Sequence, residues 1–507
     1  MPFLLKAWAP VERLRQTIGR RIGASLPGER GAIATALITG ERGGITEATN
    51  AAYRDSGIIH ILSISGLHMT VFAGAVYFSV RFVLSLFPVL SLGYAIKKWA
   101  AVTGIAGTYA YLLISGGTPP AVRSAVMISI MFLAVLLDRP ALALRNVALA
   151  ALVILVASPP SLIDVGFQMS FACVVALISG IEAWRSWQSA RGTAENRPQN
   201  GPLRGVALFL GTITLTTLIA SFAAAPFGAY YFHKSTQYGI IANLVAVPIC
   251  NLLVMPAALA TLLAMPAGLE AWPLAVMGFG IEAMTWIAFK VAGLPGAVAL
   301  IPEMPSLAFG LMVAGGLWLA LWSGRWRLGG LVAVLAGVAV IPLRTPPDVL
   351  VSGSGALVAV RGPDNRYAAV DTGRSGFELG RWLEADADQR PAAEVGPGRV
   401  IHCDTIGCVA RTRGATIAIS RHPAGLADDC RRAALVIRPG AGHTTCAPSA
   451  TGKRAAVVIG GDAMARNGTH AIRIDPTGVT EVITVADRRG VRPWSLPRGK
   501  ATVRPQT

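Results

Sequence analysis

The sequence predicts a polytopic α-helical membrane protein with about ten spans and a C-terminal α+β domain. Three observations carry this prediction. First, the 507-residue chain is 53% hydrophobic and only 14% charged, against roughly 25% charged in soluble proteins. Second, its mean hydropathy of +0.54 excludes a disordered chain, which needs low hydrophobicity. Third, the charge is unevenly spread. Residues 57–343 hold 14 basic and 7 acidic side chains, whereas 344–507 hold 23 and 15. Residues 1–56 hold 8 and 5, within a net charge of +18. A polar head thus precedes an apolar body and a polar tail. Apolar runs of roughly 20 residues match the hydrocarbon core of a bilayer.

The head, 1–56, has no compact apolar stretch followed by a small-residue cleavage site, so it does not read as a signal peptide. Residues 11–22 are amphipathic and Arg-rich, a helix for a membrane surface or for the bundle. Helical stretches follow at 28–37 and 46–55, the latter with Thr46 as N-cap.

The body, 57–343, contains span centres at Val76, Ala106, Ile130, Leu152, Val174, Thr216, Leu252, Ile281, Ala314 and Val334. Residues 57–67 form a separate re-entrant piece in one version of this count. Odd loops carry Lys97, Lys98, Arg139, Arg145, Arg185, Arg191, Arg197, Arg204, Arg325 and Arg327. Even loops carry little beyond Arg123 and Lys234. Basic residues accumulate in cytoplasmic loops, so the odd loops face the cytoplasm and both head and tail face outward.

The tail domain, 344–487, begins after Pro346-Pro347. Period-2 alternation predicts strands at 350–360, 367–371, 400–402, 409–411, 416–420, 434–437, 455–459, 471–474 and 482–485. A helix is expected at 376–385. The Pro/Arg-rich end, 488–507, reads as disordered.

The polar residues inside the body are the informative ones. Segment 57–69, GIIHILSISGLHM, sets His60, Ser63, Ser65, Gly66 and His68 in an apolar run. Polar groups at membrane depth normally face a cavity or a partner, although Ser and Gly are also ordinary packing residues between spans. Arg123 begins a span, where it lines a site or snorkels. Asp164 and Gln168, four apart, share a helix face. Asn243 and Asn251 flank Pro248, which suggests a broken helix whose exposed backbone needs a polar surrounding. Glu282 and Lys290 share a broad helix face and are read as a structural ion pair or as snorkelling side chains. Desolvation alone favours convergence of His60, Ser65, Gly66, His68, Arg123, Gln168 and Asn243 on one polar path.

Segment 57–69 resembles the signature of the ComEC family, the polytopic competence proteins that pass DNA across the inner membrane of bacteria. TPPAVRSAVM from Thr118 is similar to that family's Pro-x-x-Arg span. DVGFQMSFACVVAL from Asp164 is similar to its Asp-x-Gly-Phe-Gln-x-Ser span. PFGAYYFHKSTQYGIIANLVAVPI from Pro226 is similar to its Phe-His…Asn-Leu-x-Ala-x-Pro span. The resemblance implies an inner-membrane channel for single-stranded DNA, lined by His60, Ser65, Gly66, His68, Arg123, Asp164, Gln168, Asn243 and Asn251. It implies partnership with a DNA receptor and a cytoplasmic helicase or ATPase; the outward tail given by loop charge would then be periplasmic. Family members often carry an oligonucleotide-binding-type domain upstream; this chain starts too late for one, so either the domain is absent or the true start lies upstream.

Many family members also have a metallo-β-lactamase-like domain in the tail, with a His-x-His-x-Asp-His run for catalytic metal. Here His402, His422, His443 and His470 stand isolated. Asp371-Thr372-Gly373 is what resembles the strand-end Asp-Thr-Gly of that fold. The tail therefore reads as a degenerate, non-catalytic version, with no metal and no cofactor. Cys403, Cys408, Cys430 and Cys446 suggest two disulfides in an exported domain. Zinc is the rival, but the tight Cys-x2-Cys pairing of structural sites is missing. Cys173 and Cys250 lie singly in spans and read as inert. No Gly-x4-Gly-Lys loop occurs, so any energy source is a partner. The alternative function is a small-solute transporter or membrane scaffold, whose broken helices and midplane polar groups would look alike. A tethered nuclease is disfavoured by the absent metal run.

Overall fold

The computed structural model describes residues 2–190, 202–322, 324–373, 375–440, 445–446, 456–476 and 478–490. The end beyond residue 490 and His443 lie outside the described residues. The chain divides into two compact units, residues 1–299 with 306–339, and 300–305 with 340–507.

The first unit is helical. Among the described residues, seven helical stretches are long and apolar enough to cross a membrane: Gly66–Ser85, Pro119–Leu136, Val165–Ser186, Gly211–Phe232, Gly239–Ala267, Ala271–Ala292 and Gly324–Leu343. The three other predicted centres also fall in helices. Those at Leu152 and Ala314 are short, 14 and 16 residues. The third, Ile96–Ile114, carries Lys97 and Lys98 in its first turn. Residues 57–65 make a short 3-10 turn, Ile59–Ile61, and then an extended Ser65 that starts the first long helix.

The head packs on the bundle and belongs to the same unit. Its helices are Pro2–Ser25, Glu29–Thr39 and Glu47–Asp55. Thr46 caps the third by accepting from the Thr49 N–H. Ile18, Ile22, Ile33, Leu37 and Tyr53 share one buried core with Met69, Tyr111, Leu274 and Ile281. Polar ties reinforce it. Arg15 donates to the carbonyls of Thr39 and Ile114, at 2.9 and 3.0 Å. Those carbonyls belong to the last turns of two helices, where a cation is favoured. Glu282 pairs with Arg30 of the head at 3.0 Å. It does not pair with Lys290, which lies 5.9 Å over the Trp286 ring.

The expected break between Asn243 and Asn251 is instead a widened turn. Gly239–Ile249 runs through a π-helical turn at Cys250–Val254 into Met255–Ala264. Pro256, at the start of Met255–Ala264, lacks an N–H and crowds the Leu252 carbonyl one turn back, inside the widened stretch. Inserting one residue into the turn absorbs that conflict without breaking the helix.

Two strands precede the second unit's sheets: Lys234–Thr236 (β1) and Val298–Leu300 (β2). The second unit is a sandwich of two five-stranded sheets. One contains Val349–Val351 (β3), Leu357–Arg361 (β4), Tyr367–Asp371 (β5), His470–Asp475 (β11) and Gly478–Thr484 (β12), in the order β12-β11-β3-β4-β5. All its pairs are antiparallel. The other contains Ile401–Cys403 (β6), Gly407–Thr412 (β7), Ala415–Ser420 (β8), Leu435–Arg438 (β9) and Val457–Gly460 (β10). There β8, β9 and β10 are parallel neighbours. Val349, Val358, Ile417, Leu435 and Ile472 fill the space between the sheets. The helix Gly376–Ala385 covers the outer face of the first sheet with Leu379 and Leu383. The single strand expected at 350–360 is two, because Ser352 to Gly355 make a turn whose Gly355 has φ +71°.

Candidate functional site

The site begins where the first long helix begins. His68 is the third residue of Gly66–Ser85 and is fully buried. The Ser65 N–H donates to His68 Nδ1 at 3.1 Å. A backbone N–H can only donate, so Nδ1 must accept and the neutral ring carries its proton on Nε2. That Nε2 lies 3.4 Å from Cys250 Sγ, on the π-helical turn. Cys250 is therefore a buried neighbour of His68 in the site. As a single small apolar-like residue it gave no polar signal; the nearby Pro248 was the available clue.

Gly66 supplies the next link. A Cβ there would sit 3.2 Å from Ser124 Oγ, so the missing side chain lets two spans approach closely. Ser124 is sequence neighbour to Arg123, which is only 8% exposed. Arg123 Nη1 donates to Asp164 Oδ1 at 3.2 Å. The same oxygen accepts the Phe167 N–H at 2.8 Å and so caps Val165–Ala190. Gln168, one turn on, donates to the Leu162 carbonyl at 2.9 Å and accepts from the Tyr231 hydroxyl at 3.0 Å.

These links form one polar seam through five helices, from Cys250 past His68, Ser65, Gly66, Ser124, Arg123 and Asp164 to Gln168 and Tyr231. Helix Pro119–Leu136 is its hinge. It gives Ala121, Ala125 and Phe132 to the main core, and Val126, Met127 and Ile130 to a second cluster around Phe167 and Phe171. The remaining predicted residues stand apart. Asn243 turns its amide onto its own helix, donating to the Gly239 carbonyl at 2.7 Å. Asn251 Oδ1 is buried with no hydrogen-bond partner. His60 is exposed in the 3-10 turn, where its carbonyl accepts from the Ser63 hydroxyl. Ser124, Cys250 and Tyr231 are the seam members that sequence reasoning missed.

In the second unit, Asp371 accepts from the N–H groups of Gly373 and Ser375, at 2.9 and 2.6 Å. Its carboxylate closes the turn into the helix Gly376–Ala385. His402 is exposed, His422 Nδ1 accepts the Ala424 N–H, and His470 is buried. Among the described residues no group of three or more His, Cys, Asp or Glu is placed to hold a metal ion. Disulfides join Cys403 to Cys408 and Cys430 to Cys446. A 130 Å³ cavity beside Thr372 is lined by Gly355, Val358, Val370, Ile419 and Arg421.

Seven long apolar helices and an α+β tail define a polytopic helical membrane protein. The chain belongs to the competence protein family, whose model, described as "Competence protein", matches residues 37–326. It is 26% identical over 251 residues to ComE operon protein 3 of Bacillus subtilis (strain 168), covering 49% of this chain and 28% of that protein. It is 28% identical over 352 residues to Competence protein ComA of Neisseria gonorrhoeae, covering 67% of this chain and 46% of that protein. The chain thus spans less than half the length of these curated relatives. No solved structure matches it.

Proposed function

We propose that this protein forms an inner-membrane path by which single-stranded DNA enters the cell during natural transformation. The observation that carries the reading is the polar seam. A soluble polyanion can cross a bilayer only along polar groups that replace its water. Here such groups are hydrogen-bonded in two runs, His68 with Cys250 and Arg123–Asp164 with Gln168–Tyr231, brought side by side where Gly66 meets Ser124, within the segment matched to the competence family. A DNA receptor outside and a helicase or ATPase in the cytoplasm would deliver and pull the strand. The tail is then a periplasmic, catalytically silent derivative of a metallo-β-lactamase-like domain. Two features support this. Asp371 is spent on a turn, and the four tail cysteines are bonded in pairs, as suits an oxidising compartment.

Deletion of the gene tests the function. The mutant should still bind external DNA yet yield no transformants, and complementation should restore them. Transformation at the parental frequency in the mutant would reject the reading. Thiol labelling of intact, outer-membrane-permeabilised cells tests the tail's side. The four tail cysteines should react only after a membrane-impermeant reductant, without lysis. Labelling that needs lysis would place the tail in the cytoplasm.

A further inference from the structure

Arg123 is under-used. Its side chain is nine-tenths buried, yet Nε has no hydrogen-bond partner. Its Nη1 bond to Asp164, at 3.2 Å, is long for a charge-assisted contact, which settles at about 2.7–2.9 Å. Asp164 is a divided partner, since the same Oδ1 also holds the Phe167 N–H.

Gly166 lets the Arg123 guanidinium lie against the start of its helix. A Cβ at Gly166 would stand 2.7 Å from Arg123 Nη2 and 3.2 Å from Asp164 Oδ1. Any side chain there would fill the notch against which the guanidinium lies. Gly166 is also in the first turn of Val165–Ala190, a helix of 26 residues. The opening N–H groups of a helix have no intrahelical acceptor and favour an anion. An incompletely paired buried cation, a glycine notch and a helix N-terminus therefore meet at one point.

We propose that Arg123, the Gly166 notch and the start of helix Val165–Ala190 form a seat for one phosphodiester oxyanion, with Asp164 as the group that the anion displaces. The carboxylate and the cation are not equivalently placed. Asp164 is 52% exposed and can swing into water, whereas Arg123 is 10% exposed and cannot follow. Exchange replaces one single negative charge by another, so the buried charge balance is unchanged. That selects a phosphodiester, with one charge, over a phosphate dianion. Once Asp164 swings away, the Nη1 side of the guanidinium that it leaves can meet two phosphoryl oxygens in a forked geometry. The ligand class deepens the proposed function and rests on it for the choice of a DNA strand over a lipid headgroup, which offers the same chemistry.

The test is equilibrium binding to the full chain in phosphate-free maltoside micelles. The probes are a fluorescent oligothymidylate, its uncharged methylphosphonate analogue, dimethyl phosphate and phosphatidylglycerol. Oligothymidylate should bind the wild type, and Arg123→Gln and Gly166→Ala should each weaken it about tenfold. Arg123→Gln should also flatten the salt dependence by one contact, a slope change of about 0.7. Asp164→Asn should bind more tightly, because the competing carboxylate is gone; this arm guards against a glutamine variant that fails to fold. The methylphosphonate strand should not bind. If oligothymidylate binds Arg123→Gln and Asp164→Asn as it binds the wild type, the seat is wrong while the DNA reading stands. If no oligonucleotide binds the wild type, yet dimethyl phosphate raises its Tm and not that of Arg123→Gln, the seat stands and the DNA reading falls. Saturation by phosphatidylglycerol without competition from oligothymidylate would assign the seat to lipid and overturn the strand.

Discussion

His68 and Cys250, 182 residues apart in sequence, meet at 3.4 Å between Nε2 and Sγ. The other ring nitrogen is held by the Ser65 N–H, so the imidazole joins a helix start to the π-helical turn. His68→Ala removes both contacts and should cost about 1–2 kcal/mol. Cys250→Ser keeps a hydrogen-bonding atom at the same place and should cost less. Thermal unfolding in detergent should rank the variants wild type, Cys250→Ser, His68→Ala. Equal Tm values for all three would show that the ring does not fasten the two helices.

The tail is locked by a buried ion pair. Arg361, 2% exposed, donates to both oxygens of Asp386 at 2.9 Å each, with its guanidinium 4.2 Å over the Tyr367 ring. Breaking one side of such a pair leaves an uncompensated charge and costs about 3–5 kcal/mol. Asp386→Ala should therefore destabilise the tail severely. Arg361→Met with Asp386→Leu should recover most of the loss, as read by limited proteolysis against denaturant. If the double variant is no better than Asp386→Ala, the pair itself is not the cause.

His470 makes the tail sensitive to acid. The ring is 3% exposed, and burial holds its pKa below the ordinary histidine value, with Asp487 and the Gly468 backbone opposing weakly. Nδ1 has no partner. The unfolded chain takes the proton at about pH 6.5, before the folded one does. Stability is therefore full above that pH and declines as pH falls toward the lower folded value. His470→Leu should flatten tail stability between about pH 7 and 5. An unchanged slope in that variant would mean that other groups set the acid response.

The two disulfides should matter unequally. Cys430–Cys446 closes a separation of 16 residues, whereas Cys403–Cys408 closes 5 at the end of a hairpin already paired in register. Loop-closure entropy gives the longer bridge about 3 kcal/mol. The shorter bridge duplicates what the hairpin and the Asp404 carboxylate already hold, since Asp404 accepts from Ile406 and Gly407. Cys430→Ser should lower the tail's denaturation midpoint more than Cys403→Ser. The reverse order would contradict this account.

Local patterns made most of the fold legible. Strands such as Gly407–Thr412 and His470–Asp475 alternate because one face meets the opposite sheet, and Thr46 announces its helix by its capping chemistry. The turn from Ser352 to Gly355 was hidden inside an apolar alternation. The head's surface was undecided, since Ile18 and Ile22 would suit lipid or protein alike. Within the site, His68, Arg123 and Asp164 were visible as polar residues in apolar runs. Their partners were not. Cys250 looks apolar, Ser124 looks like packing, and Asn243 satisfies itself on its own helix. Pairing across 182 residues depends on helix packing, which no local spacing records.

The central claim is that an incoming DNA strand runs along the seam. The direct measurement is photocrosslinking during uptake of labelled DNA, with a photoreactive residue at Ser63, two residues before the seam's Ser65, or at Phe279, which is 70% exposed on the bundle surface. The account predicts crosslinks to the labelled strand at Ser63, absent at Phe279, and lost when Arg123→Ala is added. Crosslinking at Phe279 equal to that at Ser63, or DNA uptake that proceeds with no crosslink at Ser63, would contradict it.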